Sequence, residues 1–166
     1  PAAAAMSEQA GGRRRRVHAV SSTRSGIGKT LYARTLVACL SEAGPPPLVF
    51  DTDAPEGDLA TFAESHARVV DLARVEGQMA LFDTLVAAGF SDAVIDLGRA
   101  PAATFLSLGS ELALFGPNAP GNLRFVHHFL IDPSERAVEQ ALRLKHTLGV
   151  AGHVVAVENR FVFDPE

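Results

Sequence analysis

Short runs of hydrophobic residues alternate along the chain with longer segments in which apolar positions recur every three or four residues. The short runs predict buried strands, and the longer segments predict amphipathic helices that cover them. Strands are expected at 17–21, 48–51, 69–72, 93–97, 124–131 and 153–157. Helices are expected at 29–43, 75–88, 102–115 and 133–147, with a loop and a short helix within 54–67.

This alternation predicts an α/β fold, a three-layer sandwich whose mostly parallel sheet is covered by helices on both faces. Ligands of such folds bind where the strands end, at the carboxyl edge of the sheet. Four segments are therefore expected to converge at that edge. They are 22–30, 51–58, 96–102 and 158–160.

The apolar positions within each helix also predict which side chains face the core. We expect Leu31 in the first helix, and Met79 and Phe82 in the second, to point inward. Cys39 is expected on a buried side of the first helix. Asp132 is expected to cap the last helix, which a proline then opens.

Composition fits one globular domain of 166 residues, of which 47% are hydrophobic and 20% charged. No apolar run approaches the length of about 20 residues that a membrane helix needs. The lone Cys39 excludes an internal disulfide and fits a cytoplasmic location. Residues 1–16 are interpreted as a disordered arm, and 17–166 as the domain. The basic block at 13–16 could contact phosphates or acidic lipid, but the rest of this acidic chain does not indicate a nucleic-acid binder.

The loop after the first predicted strand carries the strongest functional signal. Gly26, Gly28, Lys29 and Thr30 lie between a strand and a helix, which is the context of a phosphate-binding loop. Glycines let backbone N–H groups approach phosphate oxygens, and the helix N-terminus favours an anion. Lys29 would reach the β- and γ-phosphates, and the Thr30 hydroxyl would ligate Mg²⁺. Thr23 stands where the general motif has its first glycine, and an ordinary turn with a fortuitous Lys-Thr is the alternative.

The segment Arg24–Thr30 resembles the deviant Walker A loop of the ParA/MinD family of P-loop ATPases, with Arg24 in place of the signature lysine. The resemblance implies a SIMIBI-like P-loop NTPase fold, ATP or ADP and Mg²⁺ as ligands, and slow hydrolysis that opens an ATP-closed homodimer. It implies catalytic roles for Lys29 and for Arg24, which would reach the partner's nucleotide. The residues that it places around the nucleotide phosphates are Ser25, Gly26, Ile27, Gly28, Lys29, Thr30 and Leu31.

Three carboxylates follow later strands. The segment from Asp51 to Asp58 resembles the family's Asp-x-Asp-Pro-x-Gly sequence, which implies that Asp51 holds a Mg²⁺-bound water and Asp53 orients the attacking water. Asp96 ends a buried strand as a Walker B carboxylate does, and it would bind Mg²⁺ through water. A loop rich in turn-forming residues is the alternative for the first pair. Gly98 is a candidate donor to the γ-phosphate.

Other polar residues carry weaker signals. Asn159 follows the last strand, where ParA-like proteins often have Asn-Arg, and the resemblance implies that its amide contacts adenine. An asparagine in an ordinary turn is the alternative. Arg99 is expected on the surface. His127 and His128 are adjacent in a strand and point to opposite faces, so we interpret them as core or edge histidines rather than as chelators.

The resemblance covers residues 17–160, and family members are usually longer, which leaves open a truncated C-terminus. Three functions remain open. The first is a nucleotide-dependent dimer switch that acts on DNA or a partner protein, with no membrane segment. The second is a degenerate nucleotide-binding scaffold with little hydrolysis. The third is a ligase or kinase similar to dethiobiotin synthetase, for which the sequence reveals no substrate pocket.

Overall fold

The computed structural model describes residues 15–55, 57–62, 67–87, 92–149 and 152–160. Expectations for the arm before Arg15, the helix end near Gly89 and the last six residues lie outside these ranges. Strands and helices alternate within them. They are β1 (Arg15–Ser22), α1 (Lys29–Ala43), β2 (Leu48–Asp51), α2 (Asp58–Phe62), β3 (Ala67–Val69), α3 (Val75–Val86), β4 (Asp92–Asp96), α4 (Pro101–Glu111), β5 (Leu123–Ile131), α5 (Glu135–Leu148) and β6 (His153–Glu158).

The six strands form one parallel sheet in the order β3-β2-β4-β1-β5-β6. Val20 near the end of β1 pairs with Asp96 of β4 on one side and with His128 of β5 on the other. In the strand order, β2 lies on one side of β1, and β5, which comes later in the chain, lies on the other side. The strand order therefore reverses at β1, and the carboxyl end of that strand is where such folds hold their ligands.

Helices cover both faces of the sheet, which confirms the α/β class and is compatible with the expected three layers. On one face α1 and α2 pack over a core that includes Ala33, Val37 and Leu59. On the other face α3, α4 and α5 enclose a larger core around Phe82 and Phe105. Because helices bury both faces, the central strand β4 is buried along its whole length, as the three apolar residues between its two aspartates predict.

Several element boundaries differ from the expectation. β3 ends at Val69, where a strand was expected to begin. α4 ends at Glu111, four residues early, because Ala113 has a left-handed φ of 53° that a helix cannot continue through. The cap of α5 is Ser134 rather than Asp132. The Ser134 hydroxyl accepts from the Ala137 N–H at 3.2 Å, while Asp132 accepts from the Ser134 N–H at 3.0 Å in the preceding turn.

The expectation of an inward side chain is confirmed at some helix positions and wrong at others. Phe82 is buried, but Leu31 and Met79 are 65% and 57% exposed, and Cys39 is exposed. The small Ala33 is fully buried in the second turn of α1, so the helix lies close to the sheet there, and Leu31 points outward because it lies on the opposite side of the helix. Among the described residues, no helix has the length and apolarity needed to cross a bilayer.

The strand β1 begins at Arg15, so the last two arginines of the basic block belong to the sheet. Arg16 forms a two-pronged ion pair with Asp92 of β4, with Nη2 to Oδ2 at 2.8 Å and Nε to Oδ1 at 3.1 Å. This forked geometry is the favourable one for arginine and a carboxylate. It fastens the amino end of β1 to its neighbour.

Candidate functional site

The four segments expected at the carboxyl edge of the sheet meet there. The Thr52 N–H donates to the Asp96 carbonyl oxygen at 3.1 Å, which joins the segment after β2 to the end of β4. The Asn159 side-chain amide donates to the Ile27 carbonyl oxygen at 3.0 Å, which joins the segment after β6 to the loop after β1. The Leu97 N–H donates to the Val20 carbonyl oxygen at 2.9 Å. These hydrogen bonds connect neighbouring segments along the carboxyl edge of the sheet.

The loop between β1 and α1 has a backbone that depends on glycine. Gly26 and Gly28 have φ values of 73° and 94°, in the left-handed region that other residues rarely enter. Gly28 is also the residue that precedes α1, and a Cβ there would lie 2.7 Å from the Asn159 amide nitrogen. Ile27 is fully buried and anchors the loop in the core beneath α1. The loop can therefore present its backbone N–H groups beside a helix N-terminus.

The other residues expected around phosphate occupy distinct positions. Ser25 is exposed in the loop, and Lys29 and Thr30 are half-buried in the first turn of α1. Leu31 points to solvent at the rim of a cavity. The loop is tightened by Ser22, whose hydroxyl donates to the Arg24 carbonyl oxygen at 2.7 Å.

Asp96 is the most unusual carboxylate at this edge. It is almost completely buried, and neither carboxylate oxygen has a partner of hydrogen-bond geometry in the structure. Burial raises the pKa of Asp96 to about 6. The Thr30 hydroxyl and the Lys29 charge oppose this shift, while the Asp51 and Asp53 charges add to it. A buried carboxylate with two free oxygens beside a lysine and a hydroxyl is prepared for a cation or a water molecule.

Asp51 is held differently. One carboxylate oxygen accepts from the Asp53 N–H at 2.9 Å, and the other accepts from the Leu59 N–H at 2.8 Å. The second bond caps α2, so Asp51 shapes the loop in which Asp53 lies. A carboxylate oxygen can accept more than one bond, so these contacts leave room for the expected water on Mg²⁺.

Asp53 is exposed and lies against Gly98, where an added Cβ would collide with its carboxylate. The Gly98 N–H is already used, because it donates to the Thr52 hydroxyl at 2.8 Å. That hydroxyl in turn donates to the Asp96 carbonyl oxygen at 3.0 Å. In this structure the Gly98 N–H is therefore directed at Thr52, and its donation to a γ-phosphate stays a prediction. Thr52, which sequence reasoning missed, links the two carboxylate loops.

Arg24 and Asn159 contact different partners near the loop. The Arg24 guanidinium is 61% exposed and lies 3.8 Å from the Asp132 carboxylate. Asn159 borders a cavity of about 340 Å³ whose walls include Gly28, Tyr32 and Val157. The cavity lies next to the phosphate-type loop, which is where the base of a bound nucleotide would have to lie if Asn159 contacts it.

Buried histidines lie beneath the site, on both faces of the sheet. His18 Nδ1 lies 2.9 Å from His128 Nε2, and His128 Nδ1 lies 2.9 Å from the Tyr32 hydroxyl. On the other face, His127 Nε2 lies 2.6 Å from the Ser21 hydroxyl. His127 and His128 thus point to opposite faces as expected, and both are buried.

The described residues contain no cluster of three or more histidine, cysteine or acidic side chains suited to holding a metal by themselves. A magnesium ion in a phosphoryl-transfer site takes most of its ligands from phosphate and water, so one or two protein oxygens suffice. The Thr30 hydroxyl and the free Asp96 oxygens are of the hard type that Mg²⁺ prefers.

Comparison of the chain with models of known protein families gave no match, and neither did comparison with curated proteins. What the chain does must therefore be inferred from its own residues and their geometry.

Proposed function

We propose that this chain is a P-loop nucleotide-binding protein that binds ATP with Mg²⁺, hydrolyses it slowly and acts as a nucleotide-dependent dimer switch of the ParA/MinD type. One arrangement carries the proposal. A loop with two left-handed glycines leads into a helix that begins with Lys29 and Thr30, beside the buried and unpartnered Asp96. The single cysteine of the chain is compatible with the reducing cytoplasm that we propose as its location.

Each residue of the loop has a role in this function. The backbone N–H groups of 25–28 and the amino end of α1 would hold the phosphates, with Lys29 adding a positive charge. Thr30 and Asp96 are the residues that would hold Mg²⁺, directly or through water. Bound Mg²⁺ would neutralise charge on the phosphates. Asp53 would orient the attacking water, and Asp51 keeps Asp53 in place through the bond to its N–H.

Arg24 is the residue that would act between two copies. Its guanidinium is 61% exposed and lies 3.8 Å from the Asp132 carboxylate, and an ion pair with one group so open to solvent contributes little free energy. Exchange of Asp132 for the phosphate of a partner's nucleotide is therefore energetically accessible. The proposed cargo of the switch is DNA or a partner protein.

Replacing Gly28 with alanine is expected to weaken ATP binding about tenfold or more. The left-handed φ of 94° strains an alanine, and its Cβ would displace the Asn159 amide from the Ile27 carbonyl oxygen. Isothermal titration with ATP and Mg²⁺ measures the change. Gly44→Ala is the matched control because Gly44 is extended and nothing lies within 4 Å of an added Cβ. Equal affinities for Gly28→Ala and Gly44→Ala would contradict the proposed role of the loop.

Replacing Asp53 with asparagine is expected to slow ATP hydrolysis about a hundredfold while leaving ATP affinity within a factor of about three, since the residue would position water and not nucleotide. Phosphate release and light scattering are measured together on the same protein. The variant should remain dimeric in ATP for longer than the wild type. Asp83→Asn, an exposed carboxylate on α3, is the control.

The outcomes of that experiment separate the three functions. ATP binding with turnover that Asp53→Asn does not change would favour the scaffold. Phosphate release that starts only when a second substrate is added would favour the ligase or kinase. ATP-dependent dimers that persist in Asp53→Asn would support the switch, and a monomer in every nucleotide state would exclude it.

A further inference from the structure

A groove lies between α4 and α5, on the face of the sheet opposite α1. Its volume is about 320 Å³, within the range of small-molecule sites. Ser21 and Phe129, near the ends of β1 and β5, form part of its floor. Ser22 and Thr23 also line it, so the groove opens directly beside the loop after β1. No role has been assigned above to the side chains that α4 and α5 contribute to it.

Three arginines line this groove. Arg136 and Arg143 are seven residues apart on α5, two helical turns, and so share one face of the helix, and Arg99 lies just before α4. Arg143 has Glu139 at 3.7 Å, whereas Arg99 and Arg136 form no ion pair with any other described residue. The chain as a whole has a net charge of −4, so this concentration of positive charge is local.

The positions of two arginines are unfavourable without a ligand. Arg136 lies in the first turn of α5, and Arg99 lies two residues before the start of α4. A helix N-terminus carries a partial positive charge and normally favours acidic side chains. Glu135 offsets part of this potential at α5, whereas the two guanidinium groups add to it. A bound anion would remove this repulsion.

Besides the arginines, the groove has both polar and apolar walls, and Gln140 is among the polar residues. Leu106 of α4 and Leu144 of α5 face each other across it, above Phe129. The Ser21 hydroxyl on the floor is hydrogen-bonded to His127, so it does not need a ligand. Thr147 lines both this groove and a neighbouring cavity of about 550 Å³ whose walls include no charged residue. The two cavities adjoin at Thr147, while Arg99 and Arg136 lie near the helix starts, at the end of the groove next to the loop after β1.

We propose that this groove binds a small amphipathic anion, with a carboxylate or phosphate head on a short apolar body. Arg99 and Arg136 would bind the head, because a guanidinium fork matches both kinds of anion. Phe129 and Leu144 would contact the body. This site is separate from the proposed nucleotide site, and it would exist whether or not the chain binds ATP.

NMR titration of the whole chain without nucleotide tests the proposal, with hexanoate, hexyl phosphate and uncharged hexan-1-ol as probes. We expect saturable shifts of the amide signals of 21–23 and of α5 with at least one of the two anions. The anion that binds more tightly identifies the head group. Hexanol should bind at least about tenfold more weakly, since it lacks the charge-assisted hydrogen bonds. Hexanol binding as tight as the anions, or no saturable shift with either anion, would overturn the proposal.

Variants show whether the arginines are responsible. Arg136→Gln and Arg99→Gln should each weaken anion binding about tenfold. Because the two residues lie on different elements, a folding defect in one variant leaves the other informative. Arg68→Gln removes the same charge from an exposed position on β3, the edge strand at the opposite end of the sheet from β5 and β6. This variant should bind the anion as the wild type does. Equal weakening in all three variants would show a general charge effect and refute a site at the groove.

Discussion

ATP affinity is expected to fall about a hundredfold when Lys29 is replaced with alanine. The lysine is the first residue of α1 and lies close enough to Asp96 for its charge to lower the pKa of that carboxyl. A phosphate group in the loop would become the direct partner of the Lys29 ammonium group. Charge-assisted hydrogen bonds contribute about 1.5–3 kcal/mol each, so a loss of about 3 kcal/mol, from one strong or two weaker bonds, corresponds to about a hundredfold in affinity. Isothermal titration with ATP and Mg²⁺ measures it.

The chain offers a natural control for this change. Lys145 is the only other lysine in the sequence, and its ammonium group donates to the Gly152 carbonyl oxygen at 2.7 Å, after the end of α5. Lys145→Ala removes the same charge and should lower the thermal midpoint without changing ATP affinity. If Lys29→Ala retained wild-type affinity while remaining folded, the loop would not be a phosphate site, and the proposed function would be wrong.

Sequence alone predicted the parts of the site that depend on neighbours in the chain. The glycine loop between β1 and α1 and the start of that helix at Lys29 both follow from a few consecutive residues between a strand and a helix. The parallel sheet and its carboxyl edge followed from the alternation of strands and helices. These features require only local pattern and the general geometry of parallel sheets.

Contacts between distant segments could not be predicted in the same way. The bond from the Gly98 N–H to the Thr52 hydroxyl depends on how two loops meet. The pair formed by His18 and His128 depends on the register of β1 against β5, which no single-strand pattern specifies. The groove between α4 and α5 depends on the rotation of both helices about their axes. Leu31 shows how easily that rotation is misjudged when a small residue brings a helix close to the sheet.

Acid is expected to destabilise the fold well above the pH at which most carboxylates titrate. Burial lowers the pKa of His127 to about 3 and that of His128 to about 4, with smaller contributions from the charges of His128 and His18 respectively. In the unfolded chain a histidine titrates near pH 6.5. Below that pH the unfolded chain binds protons that the folded chain does not, so the free energy of unfolding decreases as the pH falls.

The size of this effect follows from the same shifts. Between pH 7.5 and 5, each of the two histidines lowers the free energy of unfolding by about 2 kcal/mol. Asp96 has the opposite effect. Because its pKa is raised to about 6, the folded chain binds a proton on Asp96 at a higher pH than the unfolded chain does, and this adds about 1.4 kcal/mol to the free energy of unfolding at pH 5. A net loss of between 2 and 3 kcal/mol, roughly a quarter to a half of the stability of a typical domain, is therefore expected.

Urea unfolding at pH 7.5 and pH 5 measures this loss of stability. One substitution shows how much of the loss is due to His127. His127→Gln keeps a hydrogen-bonding group near the Ser21 hydroxyl but cannot titrate, so the variant should lose about 2 kcal/mol less than the wild type over the same interval. His146→Gln changes an exposed histidine on α5 and should lose as much as the wild type. Equal losses in His127→Gln and the wild type would mean that His127 is protonated in the folded chain. The packing of β5 against β1 would then have to leave water access to a side chain that is 2% exposed in this structure.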